Sequence, residues 1–172
     1  MKRLLTIYRQ KDLNLNTKSV MRRVAYRAII MKDNLVLVVK SNRFGEMKFP
    51  GGGKEINETA FDVLSREVME ETGFRIKTKI RPFVSTIEYA KDFKGEFDIF
   101  IQDSRYYYCD IFNQQNSTSY SGYEIDYGYF PLWVTLEEAI SNNLTVASND
   151  FIPWLERDTT MFKYLYEQRI KQ

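Results

Sequence analysis

A glycine turn that runs into an acidic, amphipathic stretch, residues 52–74 (GGKEINETAFDVLSREVMEETGF), constrains this chain more than any other feature in it. Asn57 fits an N-cap, Glu58 places a negative charge at a helix N-terminus and Gly73 supplies a C-terminal stop. The spacing therefore predicts a helix over Glu58–Thr72. At about 100° per residue, Ala60, Phe61, Leu64 and Val68 fall on one apolar arc with Val63 at its edge, as in a helix packed on a sheet. Glu67, Glu70 and Glu71 project from the margin of that same arc. Carboxylates at i, i+4 repel, and crowding beside a core raises their pKa values unless a cation is at hand.

Three readings of the cluster are open: a solvated acidic face, pairing with Arg66, or a divalent metal that takes oxygen ligands, as Mg²⁺ does. Arg66 can reach Glu70 at i+4 or Asp62 at i−4, but one guanidinium does not neutralise three carboxylates, which favours the metal. The wider pattern is more specific. Gly52, five residues, Glu58, seven residues and then Arg66-Glu67-Val68-Met69-Glu70-Glu71-Thr72-Gly73-Phe74 match the Nudix box at its defining positions, with Phe74 standing where aliphatic residues are commoner. Phe49-Pro50-Gly51-Gly52 is also the usual family lead into the box. The chain thus resembles a MutT-like Nudix hydrolase.

That resemblance implies a single Nudix hydrolase domain over residues 1–172. It also implies hydrolysis of a diphosphate linkage in a nucleoside diphosphate derivative with Mg²⁺ or Mn²⁺. By motif position, Glu67 and Glu71 would be direct metal ligands, Glu70 a direct or water-mediated one, and Gly51 or Gly52 a carbonyl ligand. Arg66 would orient Glu67, and Glu58 would pair within the box. Family members often recruit a further carboxylate from a distant loop as base or extra ligand. Glu124 and Asp126 are the first candidates, ahead of Glu96 and Asp98. Lys40, Arg43 and Lys48 bracket the loop entering the glycine turn and are candidate phosphate contacts. Asn149 lies in a stretch resembling the one where MutT-type enzymes set an asparagine against an oxidised guanine; the other reading is a cap of the turn at Phe151.

The favoured substrate is a nucleoside triphosphate, oxidised or not, converted to monophosphate and pyrophosphate. Dinucleoside polyphosphates, nucleotide sugars and a non-catalytic nucleotide-sensing role stay open. A small-molecule nucleotide is the expected partner, with homodimer formation left open.

Composition narrows the field around this motif. With 172 residues, 44% hydrophobic and 28% charged, the chain has the make-up of one globular domain. A net charge of +2 excludes neither nucleic acid nor small phosphates, but no dense basic run marks a duplex-binding surface, so small anions are the expected ligands. No apolar run approaches the length of a membrane span, and the basic N-terminus lacks the apolar region of a signal peptide. The sequence contains no histidine, so Ser-His-Asp, Cys-His and His-zinc chemistry are excluded together. The one cysteine, Cys109, reads as a buried apolar residue in a reducing compartment. The expected location is cytoplasmic.

Periodicity predicts an edge strand at Leu4–Tyr8, a hairpin of Val24–Met31 with Leu35–Lys40, and a β-rich run over Arg75–Tyr89. Unbroken apolarity in Leu35–Val39 marks a strand covered on both faces. Further strands are expected at Phe97–Ile101 and Tyr106–Phe112, with turns at Lys94-Gly95 and Gln102-Asp103, and at Tyr129–Val134. Asn113–Gly122 reads as a polar loop. A Thr135–Glu138 capping box opens a helix to about Asn142, and a last helix runs from about Thr159 to Ile170. The fold class is α/β, a mixed sheet flanked by helices, which the resemblance sharpens to the Nudix α/β/α sandwich.

Overall fold

Two seventeen-residue strands, β6 (Phe74–Ala90) and β7 (Ile99–Gln115), form the antiparallel spine of the structure. They are described in a computed structural model covering residues 1–146 and 152–170. β1 (Lys2–Tyr8) lies parallel to β6 on one flank and β2 (Val20–Ile29) parallel to β7 on the other, giving a mixed sheet in the order β1-β6-β7-β2. A second, antiparallel sheet centres on β4 (Leu35–Ser41). This strand pairs with β3 (Met31–Lys32) and β5 (Met47–Lys48) along one edge and with β8 (Tyr129–Thr135) along the other. The helices are α1 (Ala60–Thr72), α2 (Tyr123–Tyr127), α3 (Leu136–Val146) and α4 (Leu155–Ile170).

Alternation along β4 divides the core in two. Val36 and Val38 pack with Leu136 and Ala139 of α3 and Met161, Phe162 and Leu165 of α4. Leu37 packs on the opposite face with Val63, Leu64 and Val68 of α1, together with Tyr26, Ala28 and Cys109. Val36 to Val39 are fully buried, as expected of a strand covered on both sides. A mixed sheet flanked by helices, the expected architecture, is what forms. Full burial of each such aliphatic side chain contributes about 1.5–3 kcal/mol, so the two clusters hold α1 and the α3–α4 pair to opposite faces. Burial also pushes the Cys109 thiol up to about 12, so it is an inert apolar residue.

Several elements differ from expectation, each through a tertiary contact. The predicted hairpin survives only as Met31-Lys32 against Leu35-Val36, because β2 diverges to pair with β7 over its whole length. No turn interrupts β7 at Gln102-Asp103: Gln102 is buried and donates to the Ser104 hydroxyl at 3.3 Å, so its polarity is satisfied inside the sheet. Helix α3 continues past Asn142 to Val146, since the Asn142 and Asn143 amides bond to the 45–47 backbone rather than to their own helix. Helix α4 begins at Leu155, a turn before Thr159. Arg157 and Asp158 in its first turn are buried because Arg157 pairs with Glu88 and with Asp158. Helix α1 starts later than Glu58. Thr59 is its N-cap, in a reciprocal capping box with Asp62, while Asn57 takes a left-handed φ of 68° outside the helix. Val63, expected at the edge of the arc, lies fully in the core, and Ala60 and Phe61 are only half-buried.

Candidate metal centre and its glycine loop

The glycine loop is fixed before any side chain acts on it. Its backbone runs antiparallel to β2, with Tyr26 N–H donating to Gly52 O (3.0 Å), Ala28 N–H to Pro50 O (2.8 Å) and Lys54 N–H to Val24 O (2.9 Å). A Cβ on Gly51, whose φ is 135°, would overlap the Tyr26 carbonyl, and one on Gly52 would overlap the Glu67 carboxylate. Glycine is therefore required here to bring backbone and carboxylate together.

Helix α1 turns its second half toward this loop. Glu71 is on the core-facing side and only 1% exposed. Its Oε1 accepts from Lys48 Nζ at 2.8 Å and its Oε2 from Gly51 N–H at 2.7 Å. Glu67, one turn earlier, accepts from Arg66 at 2.7 Å. Arg66 also holds Glu58 through two nitrogens at 2.9 and 3.0 Å and reaches the Gly53 carbonyl at 3.3 Å. The guanidinium thus fixes Glu67 in place and pairs with Glu58 within the box.

A third carboxylate arrives from outside the helix. Glu67, Glu71 and Glu124 each offer an oxygen such that all three lie within 4.8 Å of one another. Burial, and after it the charge of Glu71, raise the Glu67 carboxyl above the ordinary range, against the opposing pull of Arg66 and Arg27. Glu124 is likewise raised by burial and then by Glu71, with Lys48 opposing. Three converging hard oxygen donors in such a setting suit Mg²⁺ or Mn²⁺. The glycine carbonyls at the same edge are already engaged as acceptors, Gly52 O from Tyr26 N–H and Gly51 O from the buried Arg27 guanidinium. A carbonyl oxygen has a second lone pair to offer.

Glu124 reaches the cluster because the polar 113–122 segment closes the end of α1. The last carbonyls of a helix have no partner within it. Here Glu70 O accepts from Ser119 N–H (2.8 Å), Glu71 O from the Tyr120 hydroxyl (2.6 Å) and Thr72 O from the Gln115 amide (3.0 Å). Gly73 O accepts from Asn116 N–H (2.8 Å). The chain then enters α2 directly, with Glu124 in its first turn. Asp126 on the same helix is exposed, and Glu96 and Asp98 lie exposed in and beside the distant β6–β7 turn.

The remaining predicted residues separate. Glu70 is 40% exposed, 3.6 Å from Arg66 and outside the three-carboxylate group. Lys40 donates to Asn142 at 3.1 Å. The Arg43 guanidinium stands 5.0 Å from the Phe44 ring centre and 5.5 Å from that of Tyr127. Lys48 is turned inward on Glu71, over the Tyr129 ring at 4.1 Å. Asn149 lies outside the described residues. Sequence reasoning passed over Arg27, whose signal was a lone cation in the otherwise apolar run Val24–Met31. It also passed over Glu46 and the Asn142-Asn143 pair, which carry no local signature.

Among the described residues no helix is long and apolar enough to cross a membrane. No curated protein sequence matches the chain. Among solved structures, a NUDIX hydrolase from Nitrosomonas europaea superposes with a TM-score of 0.56 at 18% identity, over 84% of this chain and 90% of that one. The solution structure of the E. coli ORF135 protein superposes with a TM-score of 0.51 at 21% identity, over 70% of this chain and 79% of that one. These likenesses concern the fold. The family follows from the sequence itself, for residues 21–155, spanning β2 to the start of α4, match the profile of the NUDIX domain. With the box running from the glycine loop held against β2 through α1, the chain belongs to the NUDIX family and is a Nudix hydrolase, an enzyme that hydrolyses nucleoside diphosphate derivatives.

Proposed function

We propose that the protein hydrolyses a nucleoside triphosphate to the monophosphate and pyrophosphate, using Mg²⁺ or Mn²⁺ held by Glu67 and Glu71 beside the Gly51-Gly52 backbone, with Glu124 next to them. The observation that carries this reading is the convergence of those three carboxylates within 4.8 Å. A divalent ion bound there supplies Lewis acidity, drawing charge off the phosphate oxygens and making water more acidic. The chain's own residues do the rest. Arg66 fixes Glu67, Lys48 neutralises Glu71, and Arg43, beside the Phe44 and Tyr127 rings, is the cationic donor offered to phosphate. Glu124, its carboxyl raised by burial, is the base: it accepts a proton from the attacking water as the water oxygen bonds to phosphorus and one bridging P–O bond breaks.

Incubation with Mg²⁺ and a panel of nucleoside triphosphates, dinucleoside polyphosphates and nucleotide sugars, followed by product analysis, tests the proposal. Release of monophosphate and pyrophosphate, lost in Glu71→Gln, is expected. Turnover confined to a dinucleotide or a nucleotide sugar would replace the substrate assignment, and absence of any turnover would leave a nucleotide-sensing domain.

A further inference from the structure

Glu124 lies on a short helix, α2, whose N-cap Gly122 supplies no side-chain bond. Gly122 takes a positive φ of 52°, and a Cβ placed on it would meet open space, so packing at that residue does not hold the helix start. The far end of α2 is tied to the 41–43 turn, where Tyr127 O accepts from Arg43 N–H and from the Ser41 hydroxyl, both at 3.1 Å. The near end, which carries Glu124, has to be fixed by the residues that precede Gly122.

Tyr120 provides that anchor. Its hydroxyl donates at 2.6 Å to the backbone carbonyl of Glu71, the residue whose carboxylate stands beside that of Glu124. Ser121 carries the connection onward. Its N–H donates to Glu124 Oε2 at 3.3 Å, and its carbonyl accepts from Glu124 N–H at 3.1 Å. The bonds form a circuit from the Glu71 backbone through the Tyr120 ring and the Ser121 amide to the Glu124 carboxylate. It closes across the acid cluster, where the Glu124 and Glu71 oxygens lie within 4.8 Å. The Tyr120 side chain is half-buried. Burial, then the charge of Glu71 and more weakly that of Glu124, raise its hydroxyl above the ordinary range, with Thr118 opposing, so it remains a neutral donor.

A catalytic group misplaced by about 1 Å can cost about a hundredfold in rate. We propose that Tyr120 is a positioning residue for the reaction: its hydrogen bond to Glu71 O sets the Ser121 amide, and through it the place of the Glu124 carboxylate beside Glu67 and Glu71. This inference rests on the reading of Glu124 as the base.

Tyr120→Phe keeps the ring and deletes the bond. With Mg²⁺ and a nucleoside triphosphate, kcat should fall by about tenfold or more while KM stays within about threefold. In a Glu124→Gln background the same substitution should change kcat by less than about threefold, since residues that act as a unit are not additive. An equal loss in both backgrounds would overturn the inference. So would a lower Tm with an unchanged kcat, which would leave Tyr120 as a cap of α1 alone. Amide hydrogen exchange of the metal-free protein separates the placement from the base assignment. In Tyr120→Phe the Ser121 and Glu124 amides should exchange about tenfold faster than in the wild type, with those of Val63–Val68 unchanged. If Glu124→Gln retains the wild-type kcat, or no nucleotide is hydrolysed, the functional reading falls and the exchange decides alone. Acceleration at Ser121 and Glu124 then upholds the placement, and unchanged exchange, or an equal acceleration along α1, overturns it.

Discussion

Replacing Lys48 by methionine removes a charge and leaves most of the apolar stem that packs over Tyr129. Lys48 and Glu71 are 5% and 1% exposed and 2.8 Å apart, so the variant leaves a buried carboxylate that keeps the Gly51 N–H but has lost its cation. Breaking a buried ion pair from one side costs about 3–5 kcal/mol. In a chain of this size each kcal/mol lowers Tm by about 2–4 °C, so metal-free Lys48→Met should melt roughly 6–20 °C below the wild-type protein. Magnesium should then act more strongly on the variant than on the wild type, because the cation that competed for Glu71 is gone. Saturation to about a hundredfold over Kd adds some 2.7 kcal/mol. The assay is thermal unfolding of both proteins in EDTA and across a magnesium titration. Adding Glu71→Gln to Lys48→Met should return much of the metal-free stability, since no charge then remains unpaired. Equal magnesium-induced shifts in the two proteins, or no loss of Tm in EDTA, would refute the idea that Lys48 is the internal counter-ion of the metal-binding acids.

Two further outcomes follow from the same geometry. Gly52→Ala places a methyl group where the Glu67 carboxylate lies, so Mg²⁺ affinity measured by calorimetry should fall by about tenfold or more. Unaltered affinity would mean that Glu67 does not bind metal from its present position. The second concerns pH. Glu67 has a folded-state pKa above its unfolded value; its contribution to stability is thus complete below the unfolded pKa and is lost as pH rises through the folded one. Glutamine mimics the protonated form, so the Tm of metal-free Glu67→Gln relative to wild type should climb as pH rises from the ordinary carboxylate range through the raised folded-state pKa and level off above it. A difference that stays flat or declines over that window would contradict the raised pKa.

The sequence alone determined α1 and its chemistry, because the information is local. Helical spacing puts Val63, Leu64 and Val68 on one side with Glu67 and Glu71 at its margin, Gly73 must end the helix in a left-handed conformation, and Arg66 sits within reach of Glu58 and Glu67. The even apolarity of β4 likewise announced a strand with a core on both faces. Even the displaced N-cap was legible, as Thr59-Ala-Phe-Asp62 is a capping box in plain sequence. What the tertiary structure decided is how the acids are neutralised and who joins them. One-dimensional reasoning saw an acid cluster in want of a cation; the fold brings Lys48 from β5 and Arg27 from β2 to it, over twenty-three residues in the first case. Glu124 is delivered because segment 113–122 satisfies the open carbonyls of α1, and the backbone at Gly45 and Met47 is held by asparagines of α3 almost a hundred residues away. Such contacts depend on which backbone groups a fold leaves unpaired, a quantity that exists only once the elements have packed.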